Sequence, residues 1–108
     1  MVLVEFSMFP TDKGESVSKY VSQIIDLIDI SGITYQLTPM GTILEGSWDD
    51  VFGVITKCFK VLEPQSNRIS TSIKVDFRKG DKSRMKSKIE KIESLLQRNI
   101  KNLIVDPL

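Results

Sequence analysis

The run Arg68–Arg78 alternates without a break. Ile69, Thr71, Ile73, Val75 and Phe77 take the odd positions, and Arg68, Ser70, Ser72, Lys74, Asp76 and Arg78 the even ones. A period of two puts successive side chains on opposite faces of an extended chain, so this run predicts a strand with one apolar and one polar face. Such a strand is not stable alone; it needs neighbours along its edges and a cover over its apolar face. Residues 2–9 repeat the pattern. Val2, Val4, Phe6 and Met8 share one face, and Leu3, Glu5, Ser7 and Phe9 the other. Pro10 ends the run, and Thr11–Gly14 forms a polar turn. Two shorter alternations, Ile33–Leu37 and Thr42–Glu45, flank Pro39-Met40-Gly41. They predict a hairpin whose turn is not a standard two-residue type.

Between these runs the period changes to that of a helix. Ser16 is a plausible N-cap for a helix with Val17, Tyr20, Val21, Ile24, Leu27 and Ile28 on one stripe, ended by Gly32. Ser47 caps a second helix, with Asp50 three residues on and Asp49 and Asp50 near the positive end of its dipole. Val51, Val54, Ile55, Cys58 and Leu62 form its stripe, and Pro64 stops it. Ser83 caps a third, carrying Met85, Ile89, Ile92 and Leu96. Asn99–Leu108 is a C-terminal extension that docks as a tail or a short strand. The order β-α-β-β-α-β plus a helix is the split βαβ, or ferredoxin-like, arrangement: an α+β domain spanning residues 1–108, with a four-stranded antiparallel sheet and helices on one face.

Composition narrows the chemistry. Histidine is absent, which removes the usual Ser-His-Asp and Cys-His catalysts and the commonest zinc ligand. The expectation is a non-enzyme without cofactor or metal; only carboxylates, hydroxyls and cationic side chains remain for acid–base work. A single cysteine, Cys58, excludes an internal disulfide and fits a reducing, cytoplasmic setting. The first residues lack the basic and small-residue features of a secretion signal, and no apolar run is long enough for a bilayer. Charge is uneven: residues 1–67 hold 4 basic and 9 acidic side chains, residues 68–108 hold 11 and 5. The basic residues alternate with Ser, Asp and Glu instead of clustering with aromatics, so the reading is a solvated basic helix and no nucleic-acid partner.

The face of the sheet away from the helices mixes apolar Leu3 and Phe9 with Glu5, Ser7, Ser70, Ser72, Lys74 and Asp76. Such a mixture suits a partner subunit or a small-molecule site. The segments VEFSMFP, ESVSKYV, YQLTPMGTILEG, WDDVF and RISTSIKVDFR resemble, in this order, the YkoF-like thiamine-binding protein family. The resemblance runs to about Gln97. It implies the ferredoxin-like fold, self-association to dimers or tetramers through the sheet, and non-catalytic binding of thiamine or its hydroxymethylpyrimidine half.

An aminopyrimidine wants a flat wall, a carboxylate acceptor and small hydroxyl partners. Matching the family's segments makes Glu5 and Glu45 candidate acceptors. Ser7, Thr38, Thr42, Ser70 and Ser72 become candidate hydrogen-bonders, and Tyr35, Met40 and Phe9 candidate walls. Each also has a structural explanation. Glu5 faces Lys74 across strands, Tyr35 shares phase with core positions, and Met40 can fill a bend. Thr42 can satisfy local backbone, Trp48 can pack on a helix start, and Cys58 can be a buried apolar group. The alternative is a structural or regulatory homo-oligomer with no small-molecule ligand.

Overall fold

The computed structural model describes residues 1–101 and 104–106. Strand β1 (Val2–Pro10) runs through the middle of the sheet. Helix α1 (Ser18–Ser31) returns the chain, and β2 (Thr34–Thr38) and β3 (Gly41–Gly46) form the hairpin. Helix α2 (Trp48–Leu62) and a 3-10 turn at Glu63–Gln65 lead to β4 (Ile69–Phe77), and α3 (Arg84–Leu96) follows. The strand order is β2-β3-β1-β4, antiparallel throughout. This is the ferredoxin-like βαββαβ order with an added C-terminal helix.

Each element follows from its residues. Ser47 caps α2 by accepting the Asp50 N–H at 3.1 Å, and Ser83 caps α3 by accepting the Lys86 N–H at 3.3 Å. Ser16 does not cap α1. Val17 holds the cap position without a side-chain bond, and its carbonyl accepts from Tyr20 and Val21. Gly32 ends α1 with φ 80°, a left-handed conformation that glycine adopts without penalty. Val2, Val4, Phe6 and Met8 meet Ile24 and Ile28 of α1, Val51, Val54, Ile55, Cys58 and Leu62 of α2, and Tyr35 and Leu44 of the hairpin in one core. Each aliphatic side chain sealed there contributes roughly 1.5–3 kcal/mol relative to exposure.

Two expectations are corrected, and the hairpin turn is of the non-standard kind expected. The hairpin turn is two residues long, Pro39-Met40, with Thr38 paired to Gly41. Neither turn residue has positive φ, so it is neither of the primed turns usual at this length. The helices do not all share a face. The register places Glu45 beside Leu3, on the side away from α1 and α2, and the start of α3 is bonded to the Glu45 carboxylate. Only Met85 of the α3 stripe is buried, and Leu96 is 50% exposed. Lastly, the apolar face of β4 is uncovered: Ile73, Val75 and Phe77 are 42%, 37% and 59% exposed. They share phase with Phe6, Val4 and Val2, but α1 and α2 do not reach over the strand at the sheet's end.

The tail docks through a single bridge residue. Val105 pairs antiparallel with Tyr35 on the outer side of β2. Residues 102, 103, 107 and 108 of the extension lie outside the described residues.

Candidate functional site

A cavity of about 170 Å³ opens where the last residues of β1, the first half of α1 and the β2–β3 turn converge. Its apolar wall includes Phe6, Met8, Phe9, Val21, Ile24 and Leu37. Ser7, Thr38 and Thr42 are its hydroxyl-bearing residues, and Met40 stands at the turn. No charged side chain contributes to the lining.

The hairpin brings the wall together. Thr38 ties the turn, accepting the Met40 N–H at 3.2 Å and donating to the Gly41 carbonyl at 2.9 Å. Gly41 lies so close to β1 that a Cβ there would meet the Phe6 carbonyl oxygen at 2.9 Å, so any larger residue would push the hairpin off the strand. Thr42 sits between Phe6 and Leu37 in the register and is 4% exposed. Its hydroxyl has no hydrogen-bond partner among the described residues. No fully enclosed side-chain nitrogen or oxygen there lacks a partner, so this hydroxyl still meets open space, and the cavity is the space its residue lines. Ser7, half-buried, likewise makes no side-chain bond among the described residues. Ser7 alternates with Phe6 and Met8, so its hydroxyl lies on the opposite face of β1; the Thr42 hydroxyl on an apolar wall suits a flat, uncharged heteroaromatic ring with a hydrogen-bonding edge.

The other candidates lie elsewhere. Glu45 is 4% exposed, and its carboxylate is committed to α3. It accepts from the Ser83 hydroxyl, from the Arg84 N–H at 2.8 Å and from the Met85 N–H at 3.3 Å. A carboxylate at a helix start satisfies orphan donors and complements the dipole. Tyr35 is a core residue whose hydroxyl donates to Asp29 at 2.8 Å. That bond, with burial, raises the phenol above its ordinary pKa. Ser70 and Ser72 are exposed on β4, Ser72 opposite Ser7 in the register. Glu5 lines a wider, shallower depression of about 530 Å³ with Leu3, Ile43, Lys74, Asp76 and Lys88. Lys74 faces it in register, yet the two form no ion pair among the described residues. Although larger, this depression is an open trough on the sheet face; the smaller cavity is the better enclosed.

Thus Ser7, Thr38, Met40 and Thr42 come together, while Glu5, Tyr35, Glu45, Ser70 and Ser72 do not join them. The α1 side of the wall, with Val21 and Ile24, was read from sequence as core stripe alone. Trp48 stacks on Phe52 at 4.4 Å between ring centroids, at the start of α2, and Cys58 is fully buried. Burial pushes the Cys58 thiol up to about 11. The described residues contain no cluster of His, Cys, Asp and Glu fit for a metal, and no helix among them is long and apolar enough to cross a membrane.

Comparison with known proteins gives a consistent result. The family described as thiamine-binding protein matches residues 4–93. The UPF0045 protein Mb1933 of Mycobacterium bovis is 35% identical over 98 residues, which are 90% of this chain and 96% of that protein. Among solved structures, protein MJ1052 of Methanocaldococcus jannaschii superposes with a TM-score of 0.75 at 31% identity, covering 84% of this chain and 94% of its own. A candidate thiamine biosynthesis or salvage protein of Thermotoga maritima shares the fold, with a TM-score of 0.73 at 20% identity over 84% of this chain and 97% of its own.

Proposed function

The chain belongs to the thiamine-binding protein family, and from that premise we propose that it binds the hydroxymethylpyrimidine half of thiamine, reversibly and without catalysis, in the cavity between α1 and the β2–β3 turn. The observation that carries this reading is the almost buried Thr42 hydroxyl, left without a partner on an otherwise apolar wall. Burying a hydroxyl without a bond is costly, so a ring edge that bonds to Thr42 gains what the free protein forgoes. Phe6 and Met8, on the same face of β1 as Thr42, are the flat and polarisable wall. The volume, below the 300–1,000 Å³ usual for drug-sized ligands, suits one ring better than two. The uncharged lining likewise leaves a cationic thiazolium outside, near the exposed Met40 and Leu37. A small carrier in the cytoplasm fits the buried, free Cys58.

The test is a thermal-shift titration with hydroxymethylpyrimidine and thiamine. A ligand at a hundred times its Kd stabilises by about 2.7 kcal/mol, a clear rise in Tm. Thr42→Val, which keeps the shape and removes the hydroxyl, should weaken binding about tenfold. No Tm rise with either compound at millimolar concentration sinks the reading.

We further propose that the chain self-associates through β4. The supporting observation is its uncovered face, where Ile73, Val75 and Phe77 stand beside an edge with no neighbouring strand among the described residues. An open edge carrying apolar side chains is a template for pairing. Light scattering should give a mass above that of one chain, and Ile73→Lys should lower it. A wild-type chain that stays monomeric at high concentration overturns this.

A further inference from the structure

The two edges of the sheet are finished differently. At β2 the Tyr35 N–H donates to the Val105 carbonyl at 3.0 Å, and the Val105 N–H returns a bond to the Tyr35 carbonyl at 2.9 Å. This reciprocal exchange is the close pair of an antiparallel ladder. The next residue locks it: the Asp106 carboxylate accepts from the Thr34 hydroxyl at 2.8 Å and pairs with the Lys86 ammonium on α3. The segment thus touches the edge strand and the added helix at once. It lies beyond the family match, which ends at residue 93. It also sits at the opposite end of β2 from Thr38 and the cavity.

We propose that residues 104–106 are an edge clasp: an intramolecular strand that closes the β2 side of the sheet, so that strand pairing with a second copy is confined to β4. An unpaired edge accepts another chain's strand, and proteins blunt such edges with a covering segment or charge. The clasp supplies both, with Val105 filling the outward backbone bonds of Tyr35 and Asp106 placing a charge at the edge. For the direction of association it rests on the β4 reading; the closing of the β2 edge stands on its own bonds.

The experiment uses the full-length protein with Val105→Pro, which deletes the N–H that bonds Tyr35, and Asp106→Ala, which removes the tie to Lys86 and Thr34. Amide exchange at Tyr35 should be slow in the wild type and roughly tenfold or more faster in Val105→Pro, with Val4 and Phe6 unchanged. Asp106→Ala should give a smaller acceleration. Light scattering on Val105→Pro should show species larger than the wild type at the same concentration. Equal Tyr35 exchange in wild type and Val105→Pro overturns the clasp. Slow exchange in the wild type with no change in assembly on Val105→Pro overturns its edge-closing role. Ile73→Lys in the wild-type background reports on β4 alone. Pyrimidine binding, measured in parallel, should be unaffected by either clasp variant, because the cavity lies at the other end of β2.

Discussion

Strands β1 and β4 span nine residues each, share one alternation and pair with each other along their whole length, from Val2 opposite Phe77 to Pro10 opposite Ile69. Val2 and Val4 are fully buried, yet Phe77 and Val75, directly across from them, are 59% and 37% exposed. The difference is place. β1 has β3 on its other side and both helices above it, whereas β4 ends the sheet. Alternation fixes which side chains share a face. It does not say whether anything covers that face, because the cover comes from elements distant in sequence.

The largest expected effect tests this contrast directly. Phe6→Ala, in the core at 2% exposure, should cost about 3–5 kcal/mol in urea denaturation. Phe77→Ala should cost less than about 1 kcal/mol in dilute protein, where no partner covers β4. If the two costs match under dilution, the contrast between the strands is wrong.

A second contrast sets two carboxylates on the same face against each other. Glu45→Ala removes the acceptor of three donors at the start of α3 and should cost about 2–3 kcal/mol, with loss of helix signal in circular dichroism. Glu5→Ala, exposed and without an ion pair among the described residues, should stay within about 0.5 kcal/mol. Equal effects would mean that α3 is held by something other than Glu45.

The smallest effect concerns the tail. Lys86 and then Thr34 hold the Asp106 carboxyl below its ordinary value of 3.8. A carboxylate with a depressed folded pKa stabilises above its unfolded value and loses that contribution as pH falls through the folded one. NMR shifts of Val105 and Asp106 should therefore move toward unstructured values only at a lower pH than that at which a free aspartate titrates. Because the pair is exposed, the effect on global stability should be slight.

Much of this was legible along the chain. The element order, the Ser47 and Ser83 caps, the α2 stripe from Val51 to Leu62 and the core phase of Tyr35 are all set by neighbours within a few residues, where periodicity and capping act. The misplacements share the opposite cause. Ser16 yielded to Val17 because carbonyl bonds to Tyr20 and Val21 set the start of α1. Glu45 could be placed on the open face by counting, but its donors lie 38–40 residues downstream. The cavity required Phe6, Thr42 and the α1 side chains to meet, a coincidence of three elements that no local pattern encodes. Ser70 and Ser72 share a face with Ser7, but the cavity lies at the β2–β3 side of β1 and they lie on the other.

The carboxylate of Glu45 also acts as a gauge. It grips Ser83, Arg84 and Met85 at fixed spacing, while the N-terminal amine holds the Arg78 and Gly80 carbonyls at 3.1 Å each. The stretch from Arg78 to Lys82 is therefore measured at both ends. An added residue there would shift the grip out of step.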